Sequence, residues 1–141
     1  MTKQNKADFE DFRVPTRIKI SALWASTMFC YVYGDYFGLF SPGTLMAMNA
    51  GIMGPLGKAT PTIMLSVSLM MIIPSVMVFL SLILPATANR WINVVLGLAY
   101  SAIMLLTMMG APLFYVFFGI VEVCLTLTIV WYSWSWPREK I

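Results

Sequence analysis

Charged residues are scarce in this sequence. They make up 11% of the 141 residues, whereas about a quarter of the residues of a typical soluble domain are charged. Eleven of the fifteen charged residues lie in residues 1–19 or 138–140. The charges left for the long middle are Asp35, Lys58, Arg90 and Glu122. Because 60% of the residues are hydrophobic, this chain has too few polar groups to cover a folded surface, and we predict that it lies in a lipid bilayer.

Histidine is absent, and the two cysteines, Cys30 and Cys124, stand far apart in the chain. The lack of histidine excludes haem ligation by that residue, typical zinc sites and histidine-based catalysis. Without a CxxC pair, a thiol–disulfide function is not expected. The net charge of +3 is accounted for by the terminal segments, so it does not indicate nucleic-acid binding. We expect no cofactor, no metal site and no nucleic-acid partner, and we assign no catalytic residue.

Four apolar runs divide the chain. Each has the roughly 20 residues that an α-helix needs to cross a hydrocarbon core of about 30 Å. We predict an all-α integral membrane protein, an antiparallel four-helix bundle with a short interfacial helix between spans 1 and 2. The first run is too long for a signal-peptide core, so we interpret it as a retained signal anchor. The predicted units are a cytoplasmic tail (1–17), a transmembrane domain (18–137, with spans at about 18–40, 62–84, 90–109 and 113–136) and a second cytoplasmic tail (138–141).

Prolines mark the ends of the spans, because proline begins a helix well and continues one badly. Pro74 is the exception, since it lies inside the second span and leaves the carbonyl group of Met70 without its helical partner. We expect Ser68 or Ser75 to relieve this defect.

The first connection, Ser41–Thr60, is long and carries a single charge. Ser41 is predicted to cap a short helix with Pro42 at its first position, and Gly54-Pro55 to end it. The side chains of this helix are too apolar for water. We expect it either to lie along the outer interface or to fold over the mouth of the bundle as a lid.

The positive charges predict how the chain is oriented across the membrane. With the amino terminus inside, eight lysine and arginine residues fall in cytoplasmic segments and Lys58 alone falls outside. Four tryptophans fall near the same inner interface, namely Trp91, Trp131, Trp134 and Trp136. The connections Ala86–Asn89 and Gly110–Ala111 are so short that the helices they join must be antiparallel neighbours. We therefore predict that both termini are cytoplasmic.

Three blocks of the sequence are distinctive: ALWASTMFCYVYGDYFGLFSPG (Ala22–Gly43), LPATANRWINVVLG (Leu84–Gly97) and FFGIVEVCLTLTIVWYSWSWP (Phe117–Pro137). In this order they resemble a family of small bacterial four-span membrane proteins of unknown function. The resemblance extends over about residues 18–137. It implies a multi-pass protein of the bacterial inner (plasma) membrane, and it implies no activity.

Two acids fall inside the predicted spans. At about 1.5 Å per residue, Glu122 lies about 15 Å below Pro112, near the midplane, and Asp35 lies about 8 Å below the outer surface. Each such residue costs about 2.5–3.5 kcal/mol at the bilayer centre on insertion scales, so its presence indicates a function. Because an ionised carboxyl group is unfavourable in lipid, we expect Glu122 to hold its proton at rest. The candidate ligand- or proton-binding residues, which include polar groups on the neighbouring helix faces, are Glu122, Asp35, Tyr31, Tyr115, Tyr100, Ser101 and Asn93.

Three functions fit such an acidic pocket, and we rank them in the order given. The first is binding or transport of a small apolar or cationic molecule, with a proton on Glu122 exchanged for the cation. Four short spans are few for alternating access, so transport predicts a homodimer. The second is a membrane enzyme acting on a lipid-like substrate, with Glu122 as general acid and Asp35 as base. The third is a structural or accessory subunit, in which the polar groups only join helices by hydrogen bonds.

Overall fold

The described part of the chain folds as four long α-helices and two short helical segments. The computed structural model describes residues 12–137, so most of the predicted amino-terminal tail and all of the predicted carboxyl-terminal tail lie outside it. The elements are α1 (Thr16–Gly38), α2 (Thr44–Asn49), a 3₁₀ helix (Gly54–Leu56), α3 (Pro61–Ile83), α4 (Ala86–Thr107) and α5 (Leu113–Trp134). No strand forms within residues 12–137, and the prediction of an all-helical chain is confirmed.

The four long helices do not pack in chain order. α1 lies against both α3 and α5, and α5 also lies against α4, while α3 and α4 touch little although they are consecutive. A small core joins them, formed by Ile20, Trp24, Met77, Tyr100 and Ile129. Trp24 of α1 meets Tyr100 of α4 edge to face at 5.9 Å in this core. The central position of α1 therefore brings its side chains within reach of all three other long helices.

Three of the helices are long and apolar enough to cross a membrane: α3, α4 and α5. Their best windows have mean hydropathies of 2.4, 1.4 and 2.3. α1 has 23 residues but a more polar sequence, and it is not among these three. The findings thus give three candidate spans in the part of the chain that the structure describes.

The distribution of polar and apolar side chains is the reverse of that in a water-soluble domain. Large apolar side chains cover the outside, such as Leu65 and Phe79 of α3, which are both 61% exposed. The buried polar residues are Ser21, Thr27, Ser81, Asn89, Asn93, Ser101, Glu122, Thr126 and Ser133. An apolar surface around a polar interior is what a bilayer favours, because lipid cannot satisfy polar groups and the bundle can.

The connection between α3 and α4 is shorter than predicted. We expected Ala86–Asn89 to be non-helical, but α4 begins at Ala86, directly after Pro85. Pro85 has φ −56° and no N–H group, so it stands well immediately before a helix. As a result Asn89 lies in the first turn of α4, on the same helical face as Asn93.

The first connection contains a shorter helix than predicted. α2 begins at Thr44 rather than near Pro42, and Gly43 takes the cap position with φ +82°, so the expected cap at Ser41 is wrong. That backbone conformation suits glycine, which has no Cβ to clash. After α2, Ile52 and Lys58 form an isolated antiparallel bridge around the 3₁₀ helix. The connection is thus a folded loop rather than one helix.

Candidate functional site

A chain of buried hydrogen bonds joins three helices in one half of the bundle. Trp24 Nε1 of α1 donates to Asn93 Oδ1 of α4 at 2.6 Å, and Asn93 Nδ2 donates to Asn89 Oδ1 at 2.6 Å. Asn89 Nδ2 in turn donates to the carbonyl oxygen of Ser81 in α3 at 2.6 Å. We call Trp24, Asn93 and Asn89, with the Ser81 carbonyl, the asparagine chain. Both asparagines are fully buried, and each amide group has found partners.

The asparagine chain ends on a carbonyl group that proline has left free. The Ser81 carbonyl would normally accept from the N–H group four residues later, but that residue is Pro85. The Asn89 amide takes the place of the missing donor. The same chemistry recurs at Pro74, since Tyr100 Oη donates to the carbonyl oxygen of Met70.

The second proline defect is therefore repaired from another helix. We expected Ser68 or Ser75 to satisfy the Met70 carbonyl, and this is wrong. Ser68 Oγ donates to Met64 at 2.8 Å and Ser75 Oγ donates to Met71 at 2.9 Å, each to the carbonyl four residues back. A serine inside a helix commonly donates to the carbonyl group four residues back. The Met70 carbonyl is therefore not reached by either serine, and the longer side chain of Tyr100 donates to it instead.

α4 and α5 approach closely where Gly97 faces Thr126. A Cβ built on Gly97 would lie 2.7 Å from Val130 Cγ2 and 3.0 Å from the Thr126 carbonyl oxygen. One turn along, the hydroxyls of Ser101 and Thr126 lie 2.7 Å apart, and Thr126 Oγ1 also donates to the Glu122 carbonyl oxygen at 2.8 Å. The close contact fixes the part of α5 that carries Glu122.

Glu122 is the one acid among the buried polar residues within residues 12–137, and its carboxyl group is not fully satisfied; the hydroxyl groups of Ser81 and Ser133 are also buried without a partner. The Glu122 side chain is 2% exposed, and Oε2 is buried without a hydrogen-bond partner. Asp35 of α1 lies within electrostatic range of this carboxyl, and so does Tyr31. We call Glu122, Asp35 and Tyr31 the acidic cluster; Asp35 itself is exposed on the outer side of α1.

The structure brings some of the predicted site residues together and separates others. Tyr115 and Tyr100 are both within electrostatic range of Tyr31, at the edge of the acidic cluster. Tyr115 Oη also donates to Thr107 Oγ1 at 3.5 Å. Asn93 belongs to the asparagine chain, and Ser101 to the α4–α5 contact. Binding of a ligand or proton by these seven residues stays a prediction.

Sequence reasoning missed Asn89, because it was assigned to a connection. The sequence did contain an indication of this contact. Asn89 and Asn93 are four residues apart, which is the spacing of one helical face, and Pro85 lacks the N–H group that would bond the Ser81 carbonyl. Cys30 and Cys124 are free thiols. Within residues 12–137, no three acidic, cysteine or histidine residues are grouped so that they could hold a metal ion.

Residues 9–141 match the family of unknown function DUF6326, and the chain belongs to this family. The prediction of an uncharacterised family is thus confirmed. Comparisons with curated proteins and with solved structures give no match.

Proposed function

We propose that this chain is a four-span membrane protein that binds or transports a small apolar or cationic molecule at the acidic cluster. The observation that carries the proposal is the buried carboxyl group of Glu122, whose Oε2 has no partner. A group that only joins helices would be expected to donate or accept a hydrogen bond across them. An ionisable group left unpaired in such a place is costly, and its retention favours a functional role.

The packing of α1 supports its inclusion as the fourth span. At about 1.5 Å per residue its 23 residues extend over about 34 Å, the length of a membrane crossing. Its polar residues Ser21 and Thr27 are buried in the bundle, while Phe29 and Val32 are exposed. Part of the low hydropathy of α1 thus comes from polar side chains that face the bundle, although Asp35 on the same helix is exposed.

The same proposal includes a bacterial inner membrane with both termini in the cytoplasm. The charges support this orientation, because Arg17, Lys19 and Arg90 are grouped at the end of the bundle where α1 begins and α3 meets α4. Lys58 lies in the connection between α1 and α3, at the opposite end. Positive charge is favoured on the cytoplasmic side.

The acidic cluster has the chemistry of a site for a lipophilic cation or a proton. Two carboxyl groups lie within electrostatic range of each other, and no lysine or arginine of α1 or α5 in residues 12–137 lies at their depth to neutralise them. Tyr31 adds an aromatic face, which attracts a cation. A bound cation could therefore replace the proton of Glu122. Transport would need two copies of the chain, because four spans offer few elements for alternating access.

The test combines ligand retention with proton release. Molecules retained by the purified protein are identified by mass spectrometry for wild type and Glu122→Gln. Binding of tetraphenylphosphonium, an apolar cation, is measured by calorimetry in two buffers that differ in ionisation enthalpy. We expect wild type to bind the cation and release a proton, and Glu122→Gln to bind it at least about tenfold more weakly without release.

Cys124→Ala, on the exposed face of α5, is the matched control and should behave as wild type. Glutamine can still donate and accept hydrogen bonds, so the variant tests the proton and not the packing. Equal retention and equal cation binding by wild type and Glu122→Gln would remove the acidic cluster as a site and favour the structural function.

A further inference from the structure

A cleft lies at the end of the bundle opposite the α1–α3 connection. Its volume is about 470 Å³, and its lining includes Arg17 of α1, Thr87, Arg90 and Trp91 of α4, and Trp136 after α5. We call these five residues the arginine cleft. They come from three helix ends that only the packing of α1, α4 and α5 brings together.

The two guanidinium groups of the arginine cleft are held in place by uncharged partners. Arg17 Nη1 donates to the carbonyl oxygen of Leu82 at 2.8 Å, at the free end of α3. The guanidinium carbon of Arg90 lies 5.5 Å from the ring centroid of Trp91 and 5.3 Å from that of Trp134. Arg90 Nε is buried without a hydrogen-bond partner. Neither set of contacts neutralises the positive charge.

The acidic residues that the structure describes are too far from Arg17 and Arg90 to neutralise their charge. Within residues 12–137 these are Asp35 and Glu122. At about 1.5 Å per residue, Asp35 is about 27 Å beyond Arg17 along α1, and Glu122 is about 18 Å from the end of α5 at Trp134. The first turn of α4 adds further positive character, because it has no side-chain cap and its N–H groups point to this end.

An open apolar depression continues from the arginine cleft along the surface of α4, with a lining that comes from this helix alone. Its volume is about 320 Å³, and it is lined by Trp91, Ile92, Val95 and Leu96, so that Trp91 belongs to both cavities. We call it the α4 groove. A cationic cleft at one end and an apolar groove at the other match a molecule with an anionic head and a hydrocarbon tail.

We propose that the arginine cleft and the α4 groove bind an anionic phospholipid, with its phosphate on Arg17 and Arg90 and one acyl chain along the α4 groove. Guanidinium groups suit phosphate, since their planar N–H groups match its oxygens. Tryptophan rings such as Trp91 and Trp136 stand at the level of lipid headgroups. This inference rests on the membrane location in the proposed function, and it does not depend on Glu122.

The experiment is native mass spectrometry of the full chain in a neutral maltoside detergent with equal amounts of dioleoyl phosphatidylglycerol and dioleoyl phosphatidylcholine. We expect wild type to retain the anionic lipid with a preference of about tenfold, and Arg90→Gln to lose that preference. Arg90→Lys should show an intermediate lipid preference, because an ammonium group keeps the positive charge but lacks the planar N–H donors of a guanidinium group.

Lys19→Gln is the matched control. Lys19 lies at the same end, 5.1 Å from the ring centroid of Tyr132, and it does not line the arginine cleft. This control should keep the lipid preference although it removes the same charge. Glu122→Gln should also keep it, whatever its effect on cation binding, so failure here and failure of the acidic cluster are distinguishable.

Two competition experiments distinguish a lipid headgroup from a soluble phosphate and test whether the acyl chain contributes to binding. Neither inorganic phosphate nor glycerol 3-phosphate, each at a hundredfold excess over lipid, should displace phosphatidylglycerol. Displacement by either would overturn the assignment to a lipid in favour of a soluble phosphate. Equal retention of both lipids by wild type, or loss of preference in Lys19→Gln equal to that in Arg90→Gln, would overturn the site itself.

Each variant is first checked by size-exclusion chromatography and thermal melting. If Arg90→Gln is not recovered folded, Arg17→Gln and Arg90→Lys carry the same comparison.

Glu139→Gln tests whether the acid that follows Pro137 in the sequence competes with lipid phosphate for the arginines. We expect this variant to retain as much phosphatidylglycerol as wild type or more, and a loss of retention would contradict the proposal.

Discussion

The asparagine chain and the acidic cluster are both polar regions inside an apolar bundle, but they differ in how their hydrogen-bonding groups are used. In the asparagine chain each amide has partners on a neighbouring side chain or carbonyl, and α1, α3 and α4 are joined by it. In the acidic cluster Glu122 Oε2 is as deeply buried and has no partner. A satisfied network stabilises the fold, whereas an unsatisfied acid must be maintained by something other than stability.

The difference has a simple origin in the backbone. Pro74 inside α3 and Pro85 just after it each remove one N–H group and so leave one carbonyl without its helical donor, and Tyr100 and Asn89 donate to those two carbonyls. α5 contains no proline between Leu113 and Trp134, so the carbonyl groups near Glu122 keep their own helical donors. No proline inside α5 therefore leaves a free carbonyl that would explain the presence of Glu122.

The largest effect on stability is expected for Asn93→Leu. Leucine would leave Trp24 Nε1 without an acceptor and Asn89 Oδ1 without a donor, both in buried positions. We expect a loss of about 2–3 kcal/mol in the free energy of unfolding, measured by denaturant titration in detergent. Asn49→Leu, on the exposed helix α2, is the control and should change this free energy by less than about 0.5 kcal/mol. A small loss for Asn93→Leu would mean that the asparagine chain does not hold the helices together.

The next effect concerns the contact that positions Glu122 on α5. In Gly97→Ala the new Cβ would lie 3.0 Å from the Thr126 carbonyl oxygen, a backbone atom that cannot move aside without shifting the helix. We expect a loss of about 1–2 kcal/mol, read from the thermal unfolding midpoint and the denaturant titration. Gly38→Ala is the control, because a Cβ there meets nothing within 4 Å. If both variants unfold alike, the close approach of α4 and α5 is not needed to carry the acidic cluster.

A smaller effect is expected for Tyr100→Phe, which removes the donor to the Met70 carbonyl. The loss should be about 1 kcal/mol, the usual net value of one hydrogen bond. The matched experiment is a double-mutant cycle with Pro74→Ala, which restores the backbone N–H group that proline lacks. In the Pro74→Ala background the Met70 carbonyl has a helical donor again, so Tyr100→Phe should then cost less. Additive losses would contradict the proline explanation.

The sequence predicted the helices better than it predicted their contacts. Hydropathy and proline positions located α3 and α5 to within a few residues, because both signals are local. The Pro74 defect was also foreseen, but its partner was not, since Tyr100 is thirty residues away and reaches Met70 only through tertiary packing. Asn89 was misassigned because a helix that starts directly after Pro85 was not expected.

The candidate site could be predicted only in part from the sequence, because local patterns do not show which helices pack together. Glu122 and Asp35 were recognisable because a charge in an apolar run is costly wherever it lies. That they lie near each other depends on α1 packing against α5, and no pattern in either helix states its neighbour. The sequence predicted Arg17 and Arg90 on the same side of the membrane but not the arginine cleft, since they belong to helix ends 73 residues apart and meet only in the folded bundle.

The smallest effect on stability should come from the acidic cluster itself. If Glu122 is kept for binding, replacing it by leucine removes a buried group that has no hydrogen bond at Oε2 and substitutes an apolar side chain of similar size. We expect Glu122→Leu to change the free energy of unfolding by less than about 1 kcal/mol, or to stabilise the protein, while cation binding is abolished. Binding is measured with tetraphenylphosphonium, and unfolding by the same titration as for Asn93→Leu. A loss of stability as large as that of Asn93→Leu would erase the difference between the two polar regions, because Glu122 would then be joining helices as the asparagines do.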